Sequence, residues 1–376
     1  MKKCSTTRCI ISSVALILLG GLGYHFLSCD QAYEPKEEKV KNIIFMIGDG
    51  MGVAQVSATQ IAQDYEPMEM ERATYVGLQK TYSANSRVTD SAAAGTALST
   101  GYKTNNGMVG MSPDSLPQTT ILEHFEQAGL PTGIVVTYPV TNATPATFVS
   151  HVPNRHWEDE IAEYYIKNEV DVIFGGGSQR FDKRADGVNL FDALKEKNYT
   201  VAYDLSEIED VKSGNVIMLP TEGSMSSRLD GRDEYLPEAT AKALEILTNN
   251  AAGEGFFLMV ESSMIDGYGH QNNVEGIIKE TKDFDNAVKV AFDYADTHPG
   301  TLVVVTADHA TGGLTIVNGN RRFDLHDHQV DYAFTTGGHT GEMVPIFAYG
   351  AGAENFTGVL ENTELPQIMR RLMDFE

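Results

Sequence analysis

Residues 42–52 read NIIFMIGDGMG, an apolar run that stops at an aspartate. A short apolar run without polar alternation is typical of a strand buried on both faces. Four similar runs follow, and longer amphipathic stretches typical of helices alternate with them. Strands are predicted at residues 42–47, 133–136, 170–174, 256–260 and 301–306, and helices at 118–126, 157–167, 237–247, 277–295 and 364–373. This order predicts an α/β fold, a three-layer α/β/α sandwich around a central, mostly parallel sheet.

The first 40 residues have a different character from this body. A basic start, MKKCSTTR, precedes an apolar run over residues 9–27, which is the order found in secretory signals. The run ends in a loose lipobox before Cys29, so we interpret residues 1–28 as a lipoprotein-type signal peptide, 29–40 as a flexible tether and 41–376 as one domain. An uncleaved membrane anchor is the alternative, because the run is about long enough to span a bilayer. The expected location is the periplasm, or the outer membrane as a lipoprotein that contacts the membrane only through its lipid anchor.

The charge and the cysteine content of the chain exclude some classes of function and favour others. The three cysteines, Cys4, Cys9 and Cys29, all lie in the leader, so disulfides cannot stabilise the predicted domain. A net charge of -24 argues against a nucleic-acid partner, which needs a basic face. The same charge repels phosphorylated ligands unless bound cations invert the local field. The acidity therefore favours a metal-dependent site.

Acidic and histidine side chains follow three of the predicted strands. In open α/β folds, ligands bind at the carboxyl ends of the strands. One Asp-Gly pair at a strand end is usually a turn, but several acidic and histidine residues in a chain with ten histidines favour a metal site over packing. Carboxylate and imidazole are ligands that zinc accepts. The candidates are Asp49, Glu261, Asp266, His270, Asp308 and His309, and the two glycines within residues 265–270 predict a loop there.

Residues 88–97, VTDSAAAGTA, form a second kind of motif, a polar turn that leads into an alanine-rich stretch. We expect a helix with Ser91 at its N-terminus, where free amides and the helix dipole favour an anion. The small side chains after Ser91 would let a phosphoryl group approach closely. The alternative is that Ser91 serves only as a helix cap, as many such serines do.

Together these motifs resemble the alkaline phosphatase family, from residue 41 nearly to the C-terminus, and Asp90-Ser91-Ala92 is the most specific of them. The resemblance implies hydrolysis of small phosphate monoesters through a phosphoserine on Ser91, with two Zn²⁺ and one Mg²⁺. It also implies a homodimer, because relatives are commonly dimers. The implied metal ligands are Asp49, Asp308 and His309 for one zinc, Asp266, His270 and His339 for the other, and Asp49, Thr144 and Glu261 for magnesium.

The resemblance also assigns the contacts with phosphate. Arg155 maps to the family's phosphate-gripping arginine, and a planar guanidinium can hold two phosphate oxygens at once. Asn142 lies beside phosphate and magnesium, where some members carry an acidic residue or a histidine. His326 and His328 alternate in a polar loop, and such histidines are more often solvated than bound to a third zinc.

Two other functions remain open on the sequence. One is a phosphodiesterase of the same superfamily, many of which use threonine as the nucleophile. The other is a non-catalytic metal- or phosphate-binding lipoprotein that keeps the fold. A sulfatase is disfavoured, because Ser91 is not followed by the x-Pro-x-Arg pattern that formylglycine formation requires.

Overall fold

The structure is a computed structural model that describes residues 38–317 and 331–375. The predicted signal peptide, most of the predicted tether, and His326 and His328 lie outside these described residues. None of the helices in the described ranges combines the length and the apolar character needed to cross a membrane.

Ten strands of the described chain form one sheet. The strands are β1 Asn42–Gly48, β2 Tyr75–Lys80, β3 Thr132–Pro139, β4 Val172–Gly176, β5 Thr200–Ala202, β6 Val216–Met218, β7 Phe257–Ser262, β8 Thr301–Thr306, β13 Val344–Gly350 and β14 Gly358–Glu361. Strand β1 lies between β8 and β7. All neighbours are parallel except β13, which runs antiparallel to β2 and β8. The strand order is β14-β2-β13-β8-β1-β7-β3-β4-β6-β5.

Helices cover both faces of this sheet. Side chains of β1 alternate between two separate cores, with Phe45 and Ile47 in one and Ile44 and Met46 in the other. Because both faces of the strand are buried, the apolar run has no polar alternation. The predicted three-layer α/β/α sandwich is therefore confirmed. The helices are α1 Val53–Ala62, α2 Ser91–Thr100, α3 Ile121–Gln127, α4 Ala143–Val149, α5 Glu158–Lys167, α6 Gln179–Asp182, α7 Leu190–Glu196, α8 Tyr235–Ala251, α9 Met264–His270, α10 Val274–Thr297 and α11 Glu364–Leu372.

The register of the three central strands brings their carboxyl ends level. Ile47 of β1 lies opposite Glu261 of β7 on one side and Thr306 of β8 on the other. Asp49 follows directly after β1, and its backbone amide donates to the carbonyl of Ser262 at 3.0 Å. Acidic side chains from distant parts of the chain thus meet at one edge of the sheet.

Two small antiparallel pairs complete this edge. Strand β9 (Ala310–Thr311) pairs with β12 (His339–Thr340), which places His339 opposite Thr311. Strands β10 (Leu314–Val317) and β11 (Asp331–Phe334) form the other pair. The first of these pairs carries His339 to the ends of the central strands.

The prediction of a loop at residues 265–270 is wrong, because this segment is helix α9. Glycine costs about 1 kcal/mol in a helix interior relative to alanine, and packing offsets that cost here. A Cβ atom on Gly269 would lie 2.8 Å from Thr311 Cβ, so only glycine permits this close approach. Tertiary contact therefore overrides the local helix propensity.

At the opposite edge of the sheet, Glu126 lines a polar cavity of about 580 Å³ with Asp171 and Asn250. Burial, with the charges of Glu123 and Asp171, raises the pKa of Glu126 from its ordinary 4.5 to about 8. The folded state therefore holds a proton that the unfolded chain releases. The stability it contributes is full below pH 4.5 and is lost as pH rises through about 8.

We expect Glu126→Gln to raise the free energy of unfolding by about 2–4 kcal/mol at roughly pH 9 and to change it little at roughly pH 5. The glutamine amide is neutral at both pH values, so it avoids the cost of a buried carboxylate. Denaturant unfolding at the two pH values measures the difference, with Glu160→Gln at an exposed position as the control. An equal effect of Glu126→Gln at both pH values would contradict the prediction.

Candidate active site

The first cluster joins the ends of β1 and β8. His309 Nε2 lies 3.1 Å from Asp308 Oδ2 and 3.6 Å from Asp49 Oδ1. One ligand atom from each of the three residues lies within 4.8 Å of the others, and all three side chains are buried. The other oxygen of Asp308, Oδ1, accepts from the backbone amides of Gly50 and His309 at 3.1 and 2.9 Å. These amides hold the carboxylate so that Oδ2 faces the cluster.

The second cluster lies beside the first and is more open. On α9, Asp266 and His270 are four residues apart, so both side chains lie on one face of the helix. His270 Nε2 is 3.3 Å from Asp266 Oδ2 and 3.2 Å from His339 Nε2, while His339 Nε2 is 3.5 Å from Asp266 Oδ1. Backbone carbonyls orient the two rings, since Gly337 O lies 2.7 Å from His270 Nδ1 and Thr89 O lies 2.9 Å from His339 Nδ1. Both Nε2 atoms are therefore directed at the cluster.

Several buried oxygens around the clusters have no hydrogen-bond partner among the described residues. They include Asp49 Oδ1, Asp308 Oδ2, Thr144 Oγ1 and both carboxylate oxygens of Glu261. Unpaired buried polar atoms are costly, and a group of them needs an explanation. Bound cations supply one, because the two clusters offer carboxylate and imidazole to zinc while Thr144, Glu261 and Asp49 offer oxygen atoms to magnesium. The donor set thus fits the expected metals.

Several carboxylates lie close together in the site, and this crowding changes their pKa values. Burial and the charges of Asp308, Asp266 and Glu261 raise the pKa of Asp49 well above its ordinary value. Burial raises the pKa of Glu261 to about 8, with the charge of Asp308 contributing. Asp266 is only half-buried, and its hydrogen bond to His270 and the charges of His309 and His339 more than offset the effect of burial and hold its pKa below the ordinary range. Cations at this position would stabilise the charged forms of the first two carboxylates.

Ser91 is the first residue of α2 and is 3% exposed. Its Oγ lies 3.3 Å from His309 Nε2, the atom shared with the first cluster. Asp90, not Ser91, caps the helix, because its carboxylate accepts from the amide of Ala93 at 3.0 Å. The serine hydroxyl is therefore not used as a cap, and the alternative role considered from the sequence does not hold.

Arg155 is half-buried and donates from Nη1 to Asp90 Oδ2 at 3.2 Å. Asp90 thus links the arginine to the residue before Ser91. Among the charges acting on Asp49, that of Arg155 lowers the carboxyl pKa, opposing burial and the neighbouring carboxylates. Asn142 precedes α4, the helix of Thr144, and its side chain does not cap that helix. The structure therefore brings Ser91 and Arg155 to the clusters and places Asn142 at the end of the helix that carries Thr144.

Comparison with known proteins matches the family model described as alkaline phosphatase over residues 40–329 and 317–375. Alkaline phosphatase 3 of Bacillus subtilis is 31% identical over 97% of this chain and 96% of its own length. The chain belongs to the alkaline phosphatase family. It is therefore an enzyme, a hydrolase of phosphate monoesters.

Solved structures of alkaline phosphatases share the fold. The enzyme of the Antarctic bacterium TAB5 superposes with a TM-score of 0.84 at 34% identity, covering 91% of this chain and all of that one. A histidine-to-glutamate variant of the TAB5 enzyme, with Mg bound in its M3 site, gives a TM-score of 0.83 at 35% identity over the same shares. Two groups of side chains have ligand atoms close enough to hold a metal ion, Asp49 with Asp308 and His309, and Asp266 with His309 and His339. Together with these likenesses, they make this phosphatase a metal-binding one.

One residue of the phosphatase site was not predicted. Thr311 Oγ1 donates to Asp266 Oδ1 at 2.6 Å and lies 3.2 Å from His309 Nδ1, so it contacts a ligand of each cluster. It occupies strand β9, only two residues after His309. A search for hydroxyl side chains next to the predicted ligands would have found it, whereas its contact with Asp266 depends on the fold.

Proposed function

We propose that this phosphatase works with two Zn²⁺ and one Mg²⁺ and forms a phosphoserine on Ser91. The observation that carries the proposal is the position of Ser91 Oγ, buried beside His309 Nε2 and not occupied in capping its helix. The ligand sets are those implied by the family resemblance. Asp49, Asp308 and His309 would hold one zinc, Asp266, His270 and His339 the other, and Asp49, Thr144 and Glu261 the magnesium.

The chemistry divides hydrolysis into two displacements. In the first, Ser91 Oγ attacks phosphorus, the bond from phosphorus to the ester oxygen breaks, and the alcohol leaves. In the second, a water molecule attacks phosphorus from the opposite side, and the bond to Oγ breaks to release phosphate and restore the hydroxyl. When bound, the metal ions supply positive charge that stabilises the oxygens entering and leaving phosphorus.

Arg155 would bind the phosphoryl oxygens through both displacements. A guanidinium can bind two such oxygens together, and Asp90 keeps it next to the first turn of α2. The free backbone N–H groups at the N-terminus of α2 also favour binding of the negatively charged phosphoryl group. Since all these contacts engage phosphate and none engages the alcohol, we expect a broad range of monoester substrates.

The test is a direct search for the covalent intermediate in protein loaded with zinc and magnesium. After incubation with a phosphate monoester and acid quenching, mass spectrometry should find phosphate on the peptide that contains Ser91. Prior removal of metal should abolish both labelling and hydrolysis of p-nitrophenyl phosphate, and zinc should restore both. Phosphate on another residue, or turnover that survives complete metal removal, would contradict the proposal.

The same assay separates the alternatives. A phosphodiesterase would hydrolyse bis-p-nitrophenyl phosphate faster than the monoester, and the use of serine instead of threonine speaks against it. A non-catalytic binding protein would bind metal or phosphate without labelling or turnover. The family membership and the complete set of implied ligands favour the monoesterase.

We also propose that the protein is exported as a lipoprotein and forms a homodimer. The basic start, the apolar run and Cys29 support export as a lipoprotein. The family resemblance supports the dimer, because relatives are commonly dimers. Radiolabelled palmitate should enter the wild-type protein and not Cys29→Ala. Light scattering of the leaderless protein should give twice the monomer mass, and a monomer mass would contradict the dimer.

A further inference from the structure

Tyr268 lies between two of the implied zinc ligands along the chain but on the other side of their helix. Successive residues of an α-helix are about 100° apart, so residue 268 points away from the face shared by residues 266 and 270. Tyr268 is 4% exposed, whereas His270 is exposed at the site. Helix α9 therefore presents the ligands on one face and buries Tyr268 on the opposite face.

The hydroxyl of Tyr268 is bound by a turn of the chain that precedes α8. It lies 2.5 Å from Ser227 Oγ and 3.3 Å from Asp230 Oδ2. Ser227 in turn donates to Asp230 Oδ2 at 2.7 Å. Because Ser227 donates its proton to Asp230, the tyrosine hydroxyl can donate to Ser227 Oγ, and the three side chains form a hydrogen-bonded chain that restricts the rotation of the tyrosine.

The ring of Tyr268 packs tightly against the first turn of α10. A Cβ atom on Gly276 would lie 2.2 Å from Tyr268 Cγ, so the helix backbone lies directly on the ring. The amide of Asn273 also donates to the carbonyl of Tyr268 at 3.0 Å. The ring contact and the backbone hydrogen bond therefore both join α9 to the start of α10.

The turn that binds the hydroxyl is itself held firmly. Arg232 follows this turn, is buried, and donates to Glu280 and Asp283 of α10 at 2.7 and 2.8 Å. The amide of Arg228 adds a bond of 2.7 Å to Glu280. Both carboxylate side chains are fully buried, so removing the arginine would be costly. Tyr268 is thus tied to a rigid part of the molecule.

We propose that Tyr268 is a positioning residue for the metal held by Asp266, His270 and His339. The inference rests on the proposed function, in which these three residues hold the second zinc. His339 comes from strand β12, so a rotation of α9 moves Asp266 and His270 together relative to the third ligand. The tyrosine, through Ser227, Asp230 and Gly276, sets that rotation from the face that no ligand occupies.

Thr311 and the Gly337 carbonyl act on the other face and do not replace this role. They orient the Asp266 and His270 side chains by hydrogen bonds of 2.6 and 2.7 Å. Neither contacts the opposite face of the helix, which is in contact with the Ser227 turn and α10. Loss of the tyrosine hydroxyl should therefore loosen the helix while these side-chain bonds remain.

The test compares zinc release from wild-type protein, Tyr268→Phe and Tyr235→Phe, each loaded with zinc and challenged with a chromogenic chelator. Groups that orient metal ligands typically change metal affinity by about 10–100-fold, so we expect one of the two zinc ions to leave Tyr268→Phe about that much faster. The other zinc, held by Asp49, Asp308 and His309, should leave at the wild-type rate. Tyr235→Phe is the matched control, because the Tyr235 hydroxyl is buried and has no partner among the described residues.

A second variant, Ser227→Ala, removes a hydroxyl partner while the tyrosine stays, and it should speed release of the same zinc by a smaller factor. A purely structural contact would lower the melting temperature of metal-free Tyr268→Phe and leave both release rates at wild-type values, which would overturn the inference. A wild-type protein that binds no second zinc would overturn the proposed function together with it. Wild-type zinc content with equal release from all variants would overturn the inference alone.

Discussion

Replacing Ser91 with alanine is expected to lower kcat for p-nitrophenyl phosphate by at least about 10³-fold, because the substitution removes the attacking oxygen. Metal content and melting temperature should stay near wild-type values. The side chain is small, and the cap of α2 belongs to Asp90, so no structural contact of the helix depends on the Ser91 hydroxyl. Steady-state kinetics, zinc analysis and a melting curve on the same preparation measure all three quantities.

Ser99→Ala is the matched control. Ser99 is also buried in α2, and its hydroxyl donates to the carbonyl of Thr147 at 2.7 Å. We expect this variant to lose about 1 kcal/mol of stability and to keep its kcat. Activity of Ser91→Ala within tenfold of wild type would mean that another group attacks phosphorus.

Removing the metals should lower the melting temperature by on the order of 10 °C or more, since each ligand present at 1,000 times its Kd adds about 4 kcal/mol. Without cations, Asp49, Glu261 and Asp308 are buried together, and several of their oxygens have no hydrogen-bond partner among the described residues. Mutual repulsion and lost solvation both destabilise this state. Melting curves in chelator, and after return of zinc or magnesium singly and together, measure each contribution.

Glu261→Gln separates the magnesium contribution from that of zinc. The variant should keep the rise in melting temperature on adding zinc and lose the further rise on adding magnesium. It should also melt higher than wild type without metal at alkaline pH, because burial raises the Glu261 pKa to about 8 and the amide never carries a charge. A melting temperature that does not change on chelation would contradict a structural role for the cations.

The sequence predicted the layers and the strand ends well because both depend on local pattern. The run at residues 42–48 is apolar throughout, and it proved to be buried between two cores. Asp49, Asp308 and His309 directly follow such runs, so their meeting at one sheet edge follows from parallel pairing alone. Their roles as zinc ligands remain a prediction.

Contacts between distant segments could not be predicted from the local sequence pattern. The helix at residues 264–270 forms despite two glycines because Gly269 packs against Thr311 and the Tyr268 ring packs against Gly276 of α10. The burial of Arg232 depends on two carboxylates about 50 residues further along the chain. The Thr311 contact with Asp266 is likewise set by tertiary structure. A local sequence pattern therefore predicts none of these three contacts.

The central strand has a consequence for the order in which the chain can acquire its structure. Strand β1, near the start of the described chain, pairs on both sides with strands that begin at residues 257 and 301. A chain emerging from the ribosome cannot complete the middle of its sheet until residue 306 is available, so the centre closes late and through long-range contacts. Such topologies fold slowly. The buried carboxylates of Asp49, Glu261 and Asp308 come together only at that late step, so a cation site that needs all three cannot form before the centre of the sheet has closed.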